Sequence, residues 1–403
     1  MASIFTAKQS RLPFVLSLSI FILLGISGGI LNIAWTPMQD TFNVDVSAIG
    51  ILLFFATLGA MIATFVSGTL LTTSRFHTLI LVAMGVLAIG MFMMASASTW
   101  FIFLVVIFIT YMGRGLLDAG FNHFFSVNYD TSAMNWLHAS WGIGLTVAPF
   151  LMTMILVDFG LSWRVGYISI GVIAIVMIVL IASTLSVWSL GETQDANTTE
   201  ADHSPASPME AIRQPAIIAS MLIFFLYGGV EIGTGQLANT LLVDGRQVSQ
   251  EVAGLWLSFY WGAFTVGRIL LGWIAMRFAD KFLLRFGMLT AIMGAFILAW
   301  NPMPLIGLLG LIAIGFGLSG IFPTLISMTA QRVGQQFSAQ AIGFQIGSAG
   351  LGASLLPGLI GMFAGQLGLE WISIGILLNV ICLFAFYEAV NTRRQPKSKN
   401  VRL

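Results

Sequence analysis

The chain is expected to fold as an all-α membrane protein, with twelve transmembrane helices forming two six-helix pseudo-repeats and both termini in the cytoplasm. Three observations predict this: twelve long apolar stretches, one sizeable polar interruption near the middle, and basic residues gathered on one side. Charged residues are 8% of the 403 and hydrophobic ones 58%, whereas globular domains average about 25% charged. A soluble fold has too little interior to hide so much continuous apolar surface.

An apolar run of about 20 residues crosses the hydrocarbon core as a helix, because a helix bonds every backbone polar group internally. Such runs lie near 12–36, 47–71, 78–97, 100–126, 136–157, 163–187, 216–240, 252–276, 282–300, 304–328, 338–365 and 370–390. The first is too long for a signal peptide, holds Asn32 and Trp35, and enters Pro37 without a small-residue cleavage site. It is therefore expected to stay in the mature protein.

Charge sets the orientation. Of the seventeen basic residues, thirteen fall on one side: Lys8, Arg11, Arg75, Arg213, Arg277, Lys281, Arg285, Arg332, Arg393, Arg394, Lys397, Lys399 and Arg402. Arg164 and Arg246 fall in loops of the other side, while Arg114 and Arg268 lie inside spans. The positive-inside rule then places both termini in the cytoplasm, and an even span count independently requires them to share a side. Short loops point to a bacterial inner membrane. One cysteine, Cys382, excludes an intramolecular disulfide and any Cys-based metal site; no cofactor or metal is expected.

The segment from Trp188 to Pro215 is rich in polar and turn residues, among them Glu192, Asp195, Asn197, Pro205 and Pro208. Its composition cannot build a core, so it reads as a cytoplasmic linker (188–215) between bundles 1–187 and 216–403. The two halves echo each other. Span five has Gly142-x-Gly144-x-x-x-x-Pro149 and span eleven Gly350-x-Gly352-x-x-x-x-Pro357. Gly113-x-Gly115 in span four matches Gly315-x-Gly317 in span ten, and Gly28-Gly29 matches Gly228-Gly229. Small residues let membrane helices pack closely, so these glycines serve packing whether or not they also mark a repeat. Parallel six-span repeats are the signature of the major facilitator architecture, whose solute site lies near the midplane between halves. Spans one, four, seven and ten would line it.

Several stretches resemble the fucose–galactose–glucose:proton symporter family of that superfamily. They are Gly-Leu-Leu-Asp118-Ala-Gly-Phe-Asn122, Asn135-Trp-Leu-His138-Ala-Ser-Trp-Gly142-Ile-Gly144 with Pro149, and Phe-Phe-Leu-Tyr227-Gly-Gly-Val-Glu231; Gly320-Ile-Phe322-Pro323-Thr324 adds to them. The resemblance implies a sugar transporter with a carboxylate on span four. In the fucose-permease branch an acid follows the span-one Asn and precedes Pro by four; here Asn32 and Pro37 flank Ile33 instead. The gating motif after span two, from Gly68 to His77 with Arg75, is degenerate, whereas its counterpart Gly272, Arg277, Asp280 and Lys281 is better kept.

A carboxylate deep in a bilayer costs about 2.5–3.5 kcal/mol on insertion scales, which makes it a functional candidate. Among sixteen acids only Asp118 and Glu231 sit well within spans; Glu388 lies near a helix end. Arg114, Asp118 and Asn122 recur every four residues and so share one helical face. Burial and a neighbouring cation pull a carboxyl in opposite directions, which suits Asp118 to loading and releasing a proton. Glu231, one turn after Tyr227, is expected to bind solute or couple protons, and His138 to relay them. The bland alternatives are a static Arg114–Asp118 pair and a structural histidine. Sugar hydroxyls pair with neutral amides and carboxylates, and their apolar faces with aromatic rings. Asn32, Trp35, Asn122, Tyr227, Glu231, Gln236, Asn239, Trp256, Tyr260 and Gln345 are the candidate binding residues. Trp256, near a span end, serves equally well as an interfacial anchor. Arg114, Arg268, Arg277 and Asp280 are assigned to gating.

Nothing here suggests an enzyme: no phosphate-binding glycine loop with lysine, no His/Glu metal spacing and no nucleophile elbow appears. Without an ATP-binding domain the driving force is a gradient. The expectation is a proton-coupled secondary transporter of a small neutral polar solute, a sugar, working by alternating access as a monomer in the lipid bilayer, with no nucleic acid partner. The alternatives are a proton-coupled drug or metabolite exporter of the same fold and a sodium-coupled sugar transporter.

Overall fold

The structure, a computed structural model, describes residues 11–44, 48–188, 207–300 and 303–392. Among the described residues there is no strand. Twelve helices are long and apolar enough to cross a membrane. Spans 1 to 6 are Arg11–Gly29, Gly50–Thr73, Phe76–Ser96, Trp100–Asn128, Thr131–Asp158 and Trp163–Ser183. Spans 7 to 12 are Pro215–Gly245, Val252–Ile274, Asp280–Trp300, Leu305–Ser327, Gln335–Leu367 and Trp371–Asn391. The linker residues Glu192, Asp195, Asn197 and Pro205 lie outside the described residues, as do Lys8 and the basic residues from Arg393 onward.

The apolar run expected at 12–36 is split into two helices that together extend past it. Its helix breaks at Ile30, directly after the glycine pair, and resumes as Leu31–Phe42 with Pro37 inside. Glycine costs about 1 kcal/mol in a helix interior, and proline removes a backbone donor and crowds the carbonyl four residues back. Span 10 is interrupted in the same way, as Pro304–Leu318 and Ile321–Ser327. Spans 4, 5 and 6 are opened by Thr99, Asp130 and Ser162, whose side-chain oxygens accept from the backbone N–H groups of Ile102, Ala133 and Arg164 at 3.3, 2.9 and 3.3 Å. Caps of this type are worth about 1 kcal/mol each.

Packing divides the chain into two compact units. The first takes the residues up to Gln214 together with Arg268–Asp280 and Pro323–Gly347; the second takes Pro215–Gly267, Lys281–Phe322 and the residues from Ser348 onward. Inside each unit the repeated glycines make equivalent contacts. A methyl group at Gly29 of span 1 would strike the Ala148 side chain of span 5 at 2.6 Å, and one at Gly229 of span 7 would strike Leu356 of span 11. Ala148 and Leu356 each precede the proline of the motif. Gly144 likewise abuts the Ile22 carbonyl and Gly352 the Phe225 carbonyl, while Gly115 abuts the carbonyl of Ala60 and Gly315 that of Tyr260. Helices already dissolved in lipid gain no further hydrophobic energy by associating, so close van der Waals contact is what holds them. Gly350 differs, since a methyl there meets nothing within 4 Å.

Candidate functional site

Gly113 and Gly115 press span 4 against spans 3 and 2, the first against Ala83 and Val86 and the second against Ala60. This turns the face bearing Arg114, Asp118 and Asn122 toward spans 1 and 5. Arg114 donates from Nη1 to Ser27 Oγ on span 1 at 2.7 Å. Gly28 leaves room for it, because a methyl there would lie 3.1 Å from the guanidinium. Tyr111, one turn earlier, sets its ring 5.4 Å from the guanidinium carbon.

Asn122 is fully buried. Its Nδ2 donates to the Asp118 carbonyl at 2.9 Å and to Asp118 Oδ1 at 3.0 Å, and its Oδ1 lies 3.0 Å from His138 Nε2 on span 5. Because the amide nitrogen serves the carboxylate, the amide oxygen must accept, which assigns a proton to His138 Nε2. The histidine ring packs edge-on against Phe21 of span 1 at 5.9 Å. Asp118, Asn122 and His138 thus form one continuous hydrogen-bonded track across two spans.

Arg268 belongs to the same unit and is 3% exposed. Its guanidinium carbon lies 5.8 Å from the Trp141 ring on span 5, and its charge acts on both Asp118 and His138. Of the other gating candidates, Arg277 is exposed, and Asp280 accepts from Thr131 Oγ1 at 2.8 Å. Thr131 also shares a 2.9 Å hydrogen bond with Ser327, and Ser132 donates to the Gly272 carbonyl. Arg268 therefore lies within electrostatic reach of Asp118 and His138, while Asp280 is held by the start of span 5.

In the second unit, Tyr227, Glu231 and Tyr260 come together. Tyr260 Oη donates to the Glu231 carbonyl at 2.7 Å, leaving the half-buried carboxylate to other partners. Tyr227 is fully buried, donates to the Leu318 carbonyl at 3.5 Å and packs against Phe322. Trp256, 7% exposed and one turn before Tyr260 on the same helix, lies near Gly307. Arg246 is occupied by Glu370, by 2.9 and 2.7 Å hydrogen bonds, and by the Leu298 carbonyl at 2.7 Å.

The remaining candidates are dispersed. Trp35 is buried in an aromatic cluster beside Trp100, and among the described residues its indole nitrogen has no hydrogen-bond partner. Gln345 is buried and accepts from Thr329 Oγ1 at 3.0 Å in the first unit. Gln236 is exposed and Asn239 half-buried. The Asn32 side chain lies outside the described residues. Sequence reasoning misses Ser27 and Trp141. Trp141 carries a faint signal, three residues after His138 and so on its face of the helix; Ser27 carries none.

Chemically, the first unit offers a carboxylate that two guanidiniums influence, tied through an amide to an imidazole. Such a group can hold or release a proton without leaving the interior.

Comparison with known proteins adds the following. The family model described as Major Facilitator Superfamily matches residues 17–304 and 237–402. The glucose/mannose transporter GlcP of Bacillus subtilis is 25% identical over 345 residues, spanning 82% of this chain and 83% of GlcP. The cis,cis-muconate transport protein of Acinetobacter baylyi is 24% identical over 373 residues, 86% of each. Among solved structures, the E. coli fucose:proton symporter FucP in its outward conformation superposes with a TM-score of 0.73 at 20% identity, covering 95% of this chain and 99% of that one.

Proposed function

The chain belongs to the Major Facilitator Superfamily, and on that premise we propose that it is a secondary active transporter moving a polyhydroxylated, sugar-type solute together with protons by alternating access. The bundles 1–187 and 216–403, joined by the linker 188–215, rock about a midplane site. Both termini face the cytoplasm of a bacterial inner membrane, and the working unit is a monomer. Asp118 carries the coupling proton, Asn122 and His138 orient it, and Glu231 with Tyr227 and Tyr260 receives solute hydroxyls.

One observation carries this reading: an ionisable group deep in a span, bonded to Asn122 and within the influence of Arg114 and Arg268. A purely structural carboxylate at such cost needs one fixed partner. Asp118 instead has several weaker ones, so neither protonation state is locked. The relatives lend support, since GlcP is named for hexoses and FucP for fucose and protons. The test is transport in proteoliposomes. Asp118→Asn should retain solute exchange at equal concentrations yet lose accumulation against a gradient. Full accumulation by that variant would remove Asp118 from coupling.

A further inference from the structure

We infer that Trp261 is the platform on which the closed ring of the solute rests while Glu231 receives its hydroxyls, so that the protein selects pyranoses over open-chain polyols. This rests on the transport reading above and adds the residue that sets its specificity.

A sugar carries hydroxyls at its rim and C–H groups on its ring faces, and an aromatic face takes the latter. The aromatic candidates already described cannot present one. Tyr227 and Tyr260 are fully buried, and Trp35 and Trp256 are 6% and 7% exposed, so their ring faces are covered. Trp261 is half-buried and keeps part of its surface open. It is the tenth of the 23 residues of span 8, and Glu231 is the seventeenth of the 31 of span 7. Both therefore lie near mid-membrane, the depth of solute sites in this architecture. Interfacial anchors sit at span ends instead. Nor does Trp261 face lipid. Leu255, Phe259, Val266 and Trp273 are exposed at spacings of four and seven residues, which makes them the stripe that meets acyl chains. With 3.6 residues per turn, Trp261 points about 130° away from that stripe.

Span 7 supplies the rest of the wall. Gly235 follows Glu231 by four residues, so it lies on the same face, about 6 Å further along the axis. A methyl group at Gly235 would lie 2.5 Å from Trp261 Cζ2 and 3.2 Å from Cε2. The benzene half of the indole thus rests directly on the span 7 backbone, an approach that only glycine permits. Tyr260 ties the two spans at this level through its 2.7 Å hydrogen bond to the Glu231 carbonyl. The rings of Tyr260 and Phe264 hold the indole edge-on, at centroid distances of 4.8 and 5.8 Å. Carboxylate and indole share one wall of the second unit, one helical turn apart, with the ring fixed before solute arrives. A pyranose meets this surface as a rigid body. An open-chain polyol with the same hydroxyls must first give up rotational freedom to present a comparable face.

The experiment measures equilibrium binding of glucose and galactose, and of their open-chain alditols sorbitol and galactitol, to the purified full-length protein, to Trp261→Phe and to Trp261→Leu. At least one hexose is expected to bind the wild type ~10-fold or more tightly than its alditol. Trp261→Leu should lose about 5- to 100-fold of that hexose affinity, the range for stacking on an aromatic platform, and bring hexose and alditol close to equal. Trp261→Phe, which keeps a flat face, should retain most of the preference. A general packing defect would weaken both ligands alike, so the ratio is the readout. A hexose preference unmoved by Trp261→Leu overturns the inference and leaves sugar transport standing, as does a wild-type ratio near one. Binding of none of the four contradicts both readings. Should Trp261→Leu fail to fold, Gly235→Ala decides, because a methyl there must displace the indole: a lowered ratio upholds the platform and an unchanged one overturns it.

Discussion

Replacing Asn122 with alanine removes the middle of the Asp118–Asn122–His138 track while leaving both ends in place. Three hydrogen bonds go, at 2.9, 3.0 and 3.0 Å. The one to the Asp118 carbonyl costs little, because that oxygen belongs to the helix ladder. The bond to the Asp118 carboxylate is charge-assisted, a class worth about 1.5–3 kcal/mol. The bond to His138 joins two spans, where measured values average about 0.6 kcal/mol and reach about 1.7. Together they predict a loss of about 2–4 kcal/mol in equilibrium unfolding from mixed micelles. His138→Ala in the Asn122→Ala background should cost less than it does alone, by about 0.5–1.5 kcal/mol, because the shared bond is already gone. A loss below about 0.5 kcal/mol, or strict additivity of the two substitutions, would refute the idea that the track is a connected unit.

Three further outcomes follow from the same geometry. Gly352→Leu should abolish folded, monodisperse protein, since even a methyl would press on the Phe225 carbonyl and overpacking costs 1–3 kcal/mol or more; Gly350→Leu should be tolerated, and equal behaviour in size-exclusion profiles would contradict the packing assignment. The hydrogen bonds from Arg246 hold the Glu370 carboxyl below its usual value, so the pair adds stability that is complete above the unfolded value of about 4.3 and is lost as pH falls through the lower folded value. Glu370 is half exposed, so Glu370→Gln should cost under ~1 kcal/mol at pH 7, and the difference in thermal unfolding should shrink toward zero in acid; a difference growing on acidification would be the wrong sign. Glu231→Gln should weaken solute affinity about tenfold, the size of one hydrogen bond to a charged group, and by more than it alters stability; unchanged affinity would return Glu231 to a structural role.

Much of the architecture is legible in the residues. Span length and apolar content dictate twelve helices, and the repeated glycines, read as packing positions, do lie where helices pass closely, as at Gly29 against Ala148 and Gly229 against Leu356. Helix periodicity also brings Asp118 and Asn122 together. It cannot show what reaches that face from elsewhere. His138 meets Asn122 across spans, and Arg268, near Arg277 and Asp280 in sequence, packs by Trp141 instead. Nothing local marks Ser27 as the partner of Arg114. Trp35 and Trp256 illustrate the converse: aromatic residues fit for a sugar are packed into an aromatic cluster and beside Gly307, because composition does not distinguish a ring that lines a cavity from one that fills a core.

Proton movement driven by solute is the most direct test of the central claim. Proteoliposomes holding a pH-sensitive dye would receive an inward solute gradient with no imposed proton gradient. The wild type should acidify the lumen in step with solute entry, and Asp118→Asn should admit solute with no pH change. Solute entry without acidification in the wild type, or an undiminished pH signal in Asp118→Asn, would contradict the account.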